Sequence, residues 1–219
     1  MRRSVIICIA IQVFFISCTR MSLLSNIVNS SSEDNLDEAF LQDDFSDSKS
    51  GWEHLQIDEG SADYVGETYQ IVINVPNTDI FTTYARTFVN SEITVKAVRV
   101  KGSDNDNFGV ICRFQDLENF YAGQISSDGF AGIFKVEDGE YQLLGHQSMV
   151  PFPEIMGGSG ENEIQFECID KTLILSVNSV LADSQQDDAF KSGEIGLIAG
   201  TIDGNIGVFQ FDNLTASAR

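Results

Sequence analysis

Residues able to do chemistry are sparse in this chain. His54 and His146 stand far from each other and from every cysteine, and neither belongs to a His-Glu-x-x-His zinc motif. No Gly-x-Ser-x-Gly elbow and no phosphate-binding loop occurs, which removes the common nucleophilic and phosphoryl-transfer designs. Glycoside hydrolysis needs two carboxylates about 5 to 10 Å apart. The nearest acidic group, Glu137-Asp138-Gly139-Glu140, contains a hairpin turn that leaves it in solvent. No catalytic residue is predicted.

Binding chemistry is better supplied. Arg113 lies between Cys112 and Phe114 in a segment of strand character, so alternation puts it on the face opposite both. With Gln115, Tyr121 and Gln124 it makes a predicted ligand-binding patch, since tyrosine rings stack on sugar faces while arginine and amide groups bond hydroxyls. The competing reading is a structural arginine paired with Glu92 or Glu118. Trp52, the only tryptophan, reads as packing near the domain's start. Asp43 or Asp44 would approach Asp212 if the terminal strands pair, and clustered carboxylates suit calcium, which takes six to eight oxygens. Asp104, Asn105, Asp106 and Asn107 offer oxygens as well. Gln115 stands where an EF-hand loop starting at Asp104 needs its glutamate, so this loop reads as a solvated turn. Structural calcium at Asp43, Asp44 and Asp212 is the one cofactor these residues suggest.

The formal net charge is -20. A field of that sign repels phosphates, so nucleic acid and anionic lipid head groups are poor partners, while calcium, basic proteins and neutral sugars remain open. Arg2 and Arg3 precede an apolar run from Val5 to Ile16 broken only by Gln12, and Ser17-Cys18 follows at once. About a dozen apolar residues fall short of the roughly 20 that span a bilayer. The layout resembles a bacterial lipoprotein signal, with Phe15 where an aliphatic residue is usual. Residues 1–17 would then be removed and Cys18 lipidated, with 18–39 a polar tether and 40–219 the folded domain, held outside the cytoplasm at the membrane. The alternative is a secretory peptide whose Cys18 is incidental. Cys112 and Cys168 remain for the domain. Two thiols in an exported domain suggest one disulfide, worth roughly 4 kcal/mol in the loop-entropy model; buried free cysteines are the other possibility.

The elements that must carry these residues are strands. From Phe40 onward short runs rich in Val, Ile, Phe and Tyr alternate with turn signals, and no helical period appears. Eleven strands are expected: Gln70 to Val75, Thr83 to Phe88, Ile93 to Val100, Phe108 to Phe114, Phe120 to Ser126, Ala131 to Val136, Tyr141 to Leu144, Glu163 to Cys168, Thr172 to Val177, Glu194 to Gly200 and Gly207 to Phe211. Asp128-Gly129, Asp138-Gly139 and Asp170-Lys171 are hairpin turns, which means antiparallel pairing. The fold class is all-β, a two-sheet antiparallel jelly-roll sandwich. A long loop from Gln147 to Gly160 crosses an edge.

Asp43-Asp44-Phe45, Gly51-Trp52, Asn107 to Phe114, Asn119-Phe120-Tyr121, Gly132 to Lys135, Gly193 to Ala199 and Phe211-Asp212-Asn213 together resemble the concanavalin A-like, laminin-G-type jelly rolls of bacterial surface proteins, near the 3-keto-disaccharide hydrolase domain family. The resemblance runs from about Phe40 to Thr215. It implies first and last strands side by side and one concave, ligand-carrying sheet. The Glu-x-Asp-x-x-Glu strand of laminarinase-type hydrolases occurs nowhere here. The reading is a non-catalytic ligand-binding domain, with glycan as the ligand. A glycosidase or lyase of the 3-keto-disaccharide type and a protein-interaction module are the alternatives. Oligomeric state and ligand identity are not legible.

Overall fold

The computed structural model describes residues 40–202 and 206–219. The signal, Cys18 and tether expectations lie outside the described residues. The described chain is sixteen strands: β1 (Phe40–Asp43), β2 (Leu55–Ile57), β3 (Gly60–Val65), β4 (Thr68–Ile73), β5 (Thr78–Phe88), β6 (Ser91–Lys101), β7 (Asn107–Asp116), β8 (Asn119–Ser126), β9 (Phe130–Glu137), β10 (Glu140–Leu143), β11 (Val150–Pro151), β12 (Asn162–Ile169), β13 (Thr172–Val177), β14 (Val180–Gln186), β15 (Gly193–Thr201) and β16 (Gly207–Ala218). They form two antiparallel sheets, one of nine strands ordered β14-β13-β12-β6-β16-β4-β3-β2 with β1 on β16, and one of seven ordered β10-β9-β8-β7-β15-β5 with β11 on β9.

Alternation explains the layering. In β12, Asn162, Ile164, Phe166 and Cys168 are buried while Glu163, Gln165, Glu167 and Ile169 are half-buried, and β13 repeats the pattern through Leu173, Leu175 and Val177. These side chains meet Val110, Cys112, Ile125, Leu197 and Ala199 of the other sheet in one continuous core. All three expected turns join antiparallel neighbours; Asp138 and Gly139 both take positive φ, Asp170 does so without Lys171, and Gly129 does so in a three-residue connection that also includes Ser127. The outer strands also lie side by side, β1 on β16 with Asp43 opposite Leu214. Five strands lie outside the eleven expected, β1, β2, β3, β11 and β14. All are edge or near-edge strands, short or rich in polar residues, as in Asp183-Ser184-Gln185-Gln186 of β14, so hydrophobic alternation barely marks them.

A cross-sheet clamp ties the layers together. Cys112 of β7 is bonded to Cys168 of β12 across 56 residues of sequence, as the sequence reading expects, with Cα atoms 6.6 Å apart. The next residue departs from the sequence reading. A β-bulge on β7 interrupts its register with β8 between Cys112 and Asp116, Arg113 takes φ 51, and its side chain turns inward beside Cys112 instead of outward. The guanidinium donates to Val89 O (3.2 Å), Asp170 O (2.7 Å), Phe190 O (3.0 Å), Asn90 Oδ1 (3.3 Å) and Cys168 O (3.2 Å). All five of its N–H groups are therefore used. Neither Glu92 nor Glu118 pairs with it; Glu92 holds Arg219. Burial pulls the Arg113 pKa below its ordinary value, yet an arginine stays charged.

Replacing Cys112 and Cys168 together with alanine is expected to lower the melting temperature by about 10 °C, from roughly 4 kcal/mol of lost loop constraint in a domain of this size. Arg113→Met is expected to cost about 3 kcal/mol or more, because four carbonyls and an amide lose their donor. Urea unfolding with an unchanged midpoint in Arg113→Met would remove the clamp.

Candidate functional site

The four residues expected to bind ligand do not share a surface. Arg113 is buried in the clamp. Tyr121 pairs with Cys112 and so points into the core, where its hydroxyl donates to Asp187 Oδ1, accepts from Phe190 N–H (3.2 Å) and its ring packs on Phe190. Gln115 is exposed and donates to Ser192 O. Gln124 alone lies on the outer face of the seven-stranded sheet, 3% exposed, between Gly109 and Gly132. The set divides for two reasons: the bulge turns Arg113 inward, and Tyr121 and Gln124, three residues apart on β8, alternate to opposite faces.

The acidic residues also take separate tasks. Asp43 accepts from Phe45 N–H (2.8 Å), Trp52 Nε1–H (3.0 Å) and the Ser50 hydroxyl, which locks a cluster of Phe45, Trp52 and Tyr69 rings. Asp44 caps Ser46 and Asp212 caps Asn213. Asp106 accepts from Ser103 N–H (2.8 Å) and Ile202 N–H (3.1 Å), while Asp104 pairs with Arg99. Among the described residues, no three His, Cys, Asp or Glu side chains gather as a metal would require. His54 contacts Asp63 (2.7 Å) and His146 contacts Asp183 (3.3 Å), in separate places.

A different surface has the geometry of a site. The register sets Phe81, Ile198, Gly109 and Gln124 in one row across the outer face of the seven-stranded sheet, and Thr83, Gly196, Ile111, Ala122 and Phe134 in the next. The apolar members form a second cluster, separate from the main core. The bulge that turns Arg113 inward turns Phe114 outward into it, opposite Glu194. Close approach at this crossing requires glycine, because a β-carbon at Gly193 would collide with the Arg113 and Phe114 backbone.

This face is concave. Phe81 of β5 and Phe120 of β8 lie three strands apart, yet their ring centroids are 5.3 Å from each other, and Phe114 is 5.8 and 5.9 Å from the two. Tyr141 of β10, at one edge of the sheet, brings its hydroxyl to the carboxylate of Asp79 on β5, at the other. Five strand steps in a flat sheet would span about 24 Å. The sheet therefore curls into a trough floored by phenylalanine. Asp79 folds over the neighbouring strand, where a β-carbon on Gly200 would strike its oxygen.

Beside β5 the trough opens into a groove of about 520 Å³ between that strand, β2 and the β7–β8 turn. Its apolar walls include Leu55, Ile57, Phe81, Phe114 and Leu117, and its carboxylates are Glu53, Asp79, Asp116 and Glu194. None of these carboxylates takes part in the ion pairs of the described residues. Thr83, 9% exposed, also lines the groove, and its hydroxyl has no hydrogen-bond partner among the described residues. The sequence reading starts this strand at Thr83 and so leaves Asp79 and Phe81 outside it; extending the alternation Asp79-x-Phe81-x-Thr83 upstream is the signal that finds them.

Desolvation in the trough raises the Asp79 pKa above 3.8, against a smaller lowering by the Tyr141 hydroxyl. A raised folded-state value makes the folded chain bind a proton that the unfolded chain has released. Stability then falls as pH rises through that value, and the cost is fully present at neutral pH. Asp79→Asn is accordingly expected to melt above the parent at neutral pH, with the difference closing as pH falls toward 4; parallel melting curves across that range would refute the assignment.

No family model matches this sequence, and no curated protein matches it either. Solved structures do. The carbohydrate-binding module CBM66 from Bacillus subtilis superposes with a TM-score of 0.64 at 16% identity over 77% of this chain and 96% of its own. The GH43 protein BlXynB from Bacillus licheniformis gives 0.61 at 13% identity over 81% of this chain and 39% of its own. A Bacillus licheniformis beta-glucanase gives 0.60 at 9% identity over 82% and 98%. Identities this low speak for the fold alone: the described chain is an all-β, two-sheet jelly-roll sandwich of the concanavalin A-like kind.

Proposed function

We propose that this chain is the exported, lipid-anchored form of a carbohydrate-binding domain, and that it holds its ligand in the trough and groove of the seven-stranded sheet without changing it. The observation that carries this reading is the phenylalanine floor bordered by carboxylates free of cationic partners. Sugar rings lay their apolar C–H faces on aromatic rings, and carboxylates accept from hydroxyls in charge-assisted hydrogen bonds. Phe81 and Phe114 supply the first kind of contact, and Glu53, Asp116 and Glu194 the second. The resemblance of the fold to a carbohydrate-binding module supports the same class of ligand. The apolar run before Cys18 supports export and acylation of that cysteine.

One observation favours a second reading. Asp79 is a carboxyl whose pKa desolvation raises, in a groove holding other carboxylates, which is the raw material of a glycosidic general acid. Release of reducing ends from a bound oligosaccharide, abolished by Asp79→Asn, would select that reading.

Titration of a panel of oligosaccharides into the purified domain is expected to give at least one saturable ligand, returned unaltered, with Phe81→Ala weakening it about tenfold, the size of a typical buried contact residue. A panel with no binder removes the proposal. For the anchor, a fatty-acid probe is expected to label the intact protein in cells and to miss Cys18→Ala; equal membrane retention of both forms would contradict it.

A further inference from the structure

We infer that the groove selects amino sugars with free ammonium groups: an oligosaccharide carrying positive charges along one edge and bare C–H faces on the other. This inference rests on the carbohydrate reading above and names the class of sugar. Three features carry it. Glu53, Asp79, Asp116 and Glu194 border one groove, yet no Lys, Arg or His lines it. Elsewhere in the described chain cations do find acids, as Lys135 does with Glu137 and Asp187, Lys96 with Glu161 and Arg219 with Glu92. The groove's charge is thus left uncompensated from within.

The second feature is Thr83. Its side chain is nine-tenths buried in the groove wall, and its hydroxyl has no partner among the described residues. The hydroxyl is thus left for a group entering the groove, where a ligand hydroxyl could pair with it. The third is the wall itself. Phe81 and Phe114 stand 5.8 Å apart with planes at 60°, and Leu117, 73% exposed, flanks the mouth. An aromatic ring suits the C–H face of a pyranose, the carboxylates suit its ammonium substituents, and Thr83 suits its hydroxyls. A simple cation would leave the aromatic wall unused. A neutral sugar would leave the four carboxylates that border the groove without a counter-charge, which a cationic ligand supplies.

The test is calorimetric titration of the full chain at neutral pH with four probes: a β-1,4-linked glucosamine tetramer, its fully N-acetylated counterpart, a β-1,4-linked glucose tetramer and tetralysine. The free-amine sugar is expected to bind at least tenfold tighter than the other three. That preference should shrink in about 0.5 M salt, where the Debye length falls to roughly 4 Å. The double variant Glu53→Gln, Glu194→Gln, checked for an unchanged melting curve, is expected to narrow it about tenfold. If the acetylated or glucose tetramer binds as tightly, the groove binds sugar without reading charge; the inference falls and the carbohydrate reading stands. If no sugar binds, both fall. Tetralysine binding as tightly as the amine sugar also overturns the inference, because the groove would then be a basic-peptide site. Should the double variant not fold, the salt dependence alone decides.

Discussion

The two sheets share one continuous core and are clamped covalently at one point, next to which the outer face takes its shape. Cys112 and Arg113, adjacent in sequence, reach the facing sheet together: one through a covalent bond to Cys168, the other through a guanidinium that gathers backbone carbonyls from the connections around Val89, Asp170 and Phe190. No carboxylate answers the buried charge. Its stabilisation comes from oriented peptide dipoles, which suffice only while all five donors are occupied. The bulge required to aim Arg113 inward is also what delivers Phe114 and Glu194 to the outer face. The same backbone irregularity thus supports the sandwich and furnishes the groove, so the two are inseparable by mutation at this site.

Acidity in this protein has two uses. Some carboxylates are structural: Asp43 organises an aromatic cluster and Asp106 closes a loop, each buried and saturated with donors. Those of the groove are open to solvent or half-buried and without cations, although Asp116 also caps its turn by accepting from Glu118 N–H and Asn119 Nδ2–H. A net charge of -20 read as a single quantity suggests only solubility. Sorted by partner, it separates carboxylates that complete the fold from those left to meet something else.

Much of the architecture was legible in the residues. The alternation of Ile164, Phe166 and Cys168, the Asp-Gly turns and the spacing of short apolar runs specify an antiparallel sandwich, because a face buried on one side imposes period two. The bonded cysteine pair followed from counting the thiols left to the folded domain. The ligand patch did not follow, since a single extra residue in β7 reverses the facing of Arg113 and Phe114, and a β-bulge leaves little trace in composition. Nor could the groove be read in advance: Glu53, Asp79, Asp116 and Glu194 are scattered along the chain, and only the pairing of β5 with β15 and β15 with β7 gathers three of them.

The position of β16 has one more consequence. The last strand does not sit at a sheet's margin; it is inserted between β4 and β6 and also carries β1. Until β16 pairs, the nine-stranded layer is split in two, and the first strand has nothing to hold. Such long-range closure is slow compared with local pairing. Assembly of this layer therefore waits on the strand that comes latest in its sequence.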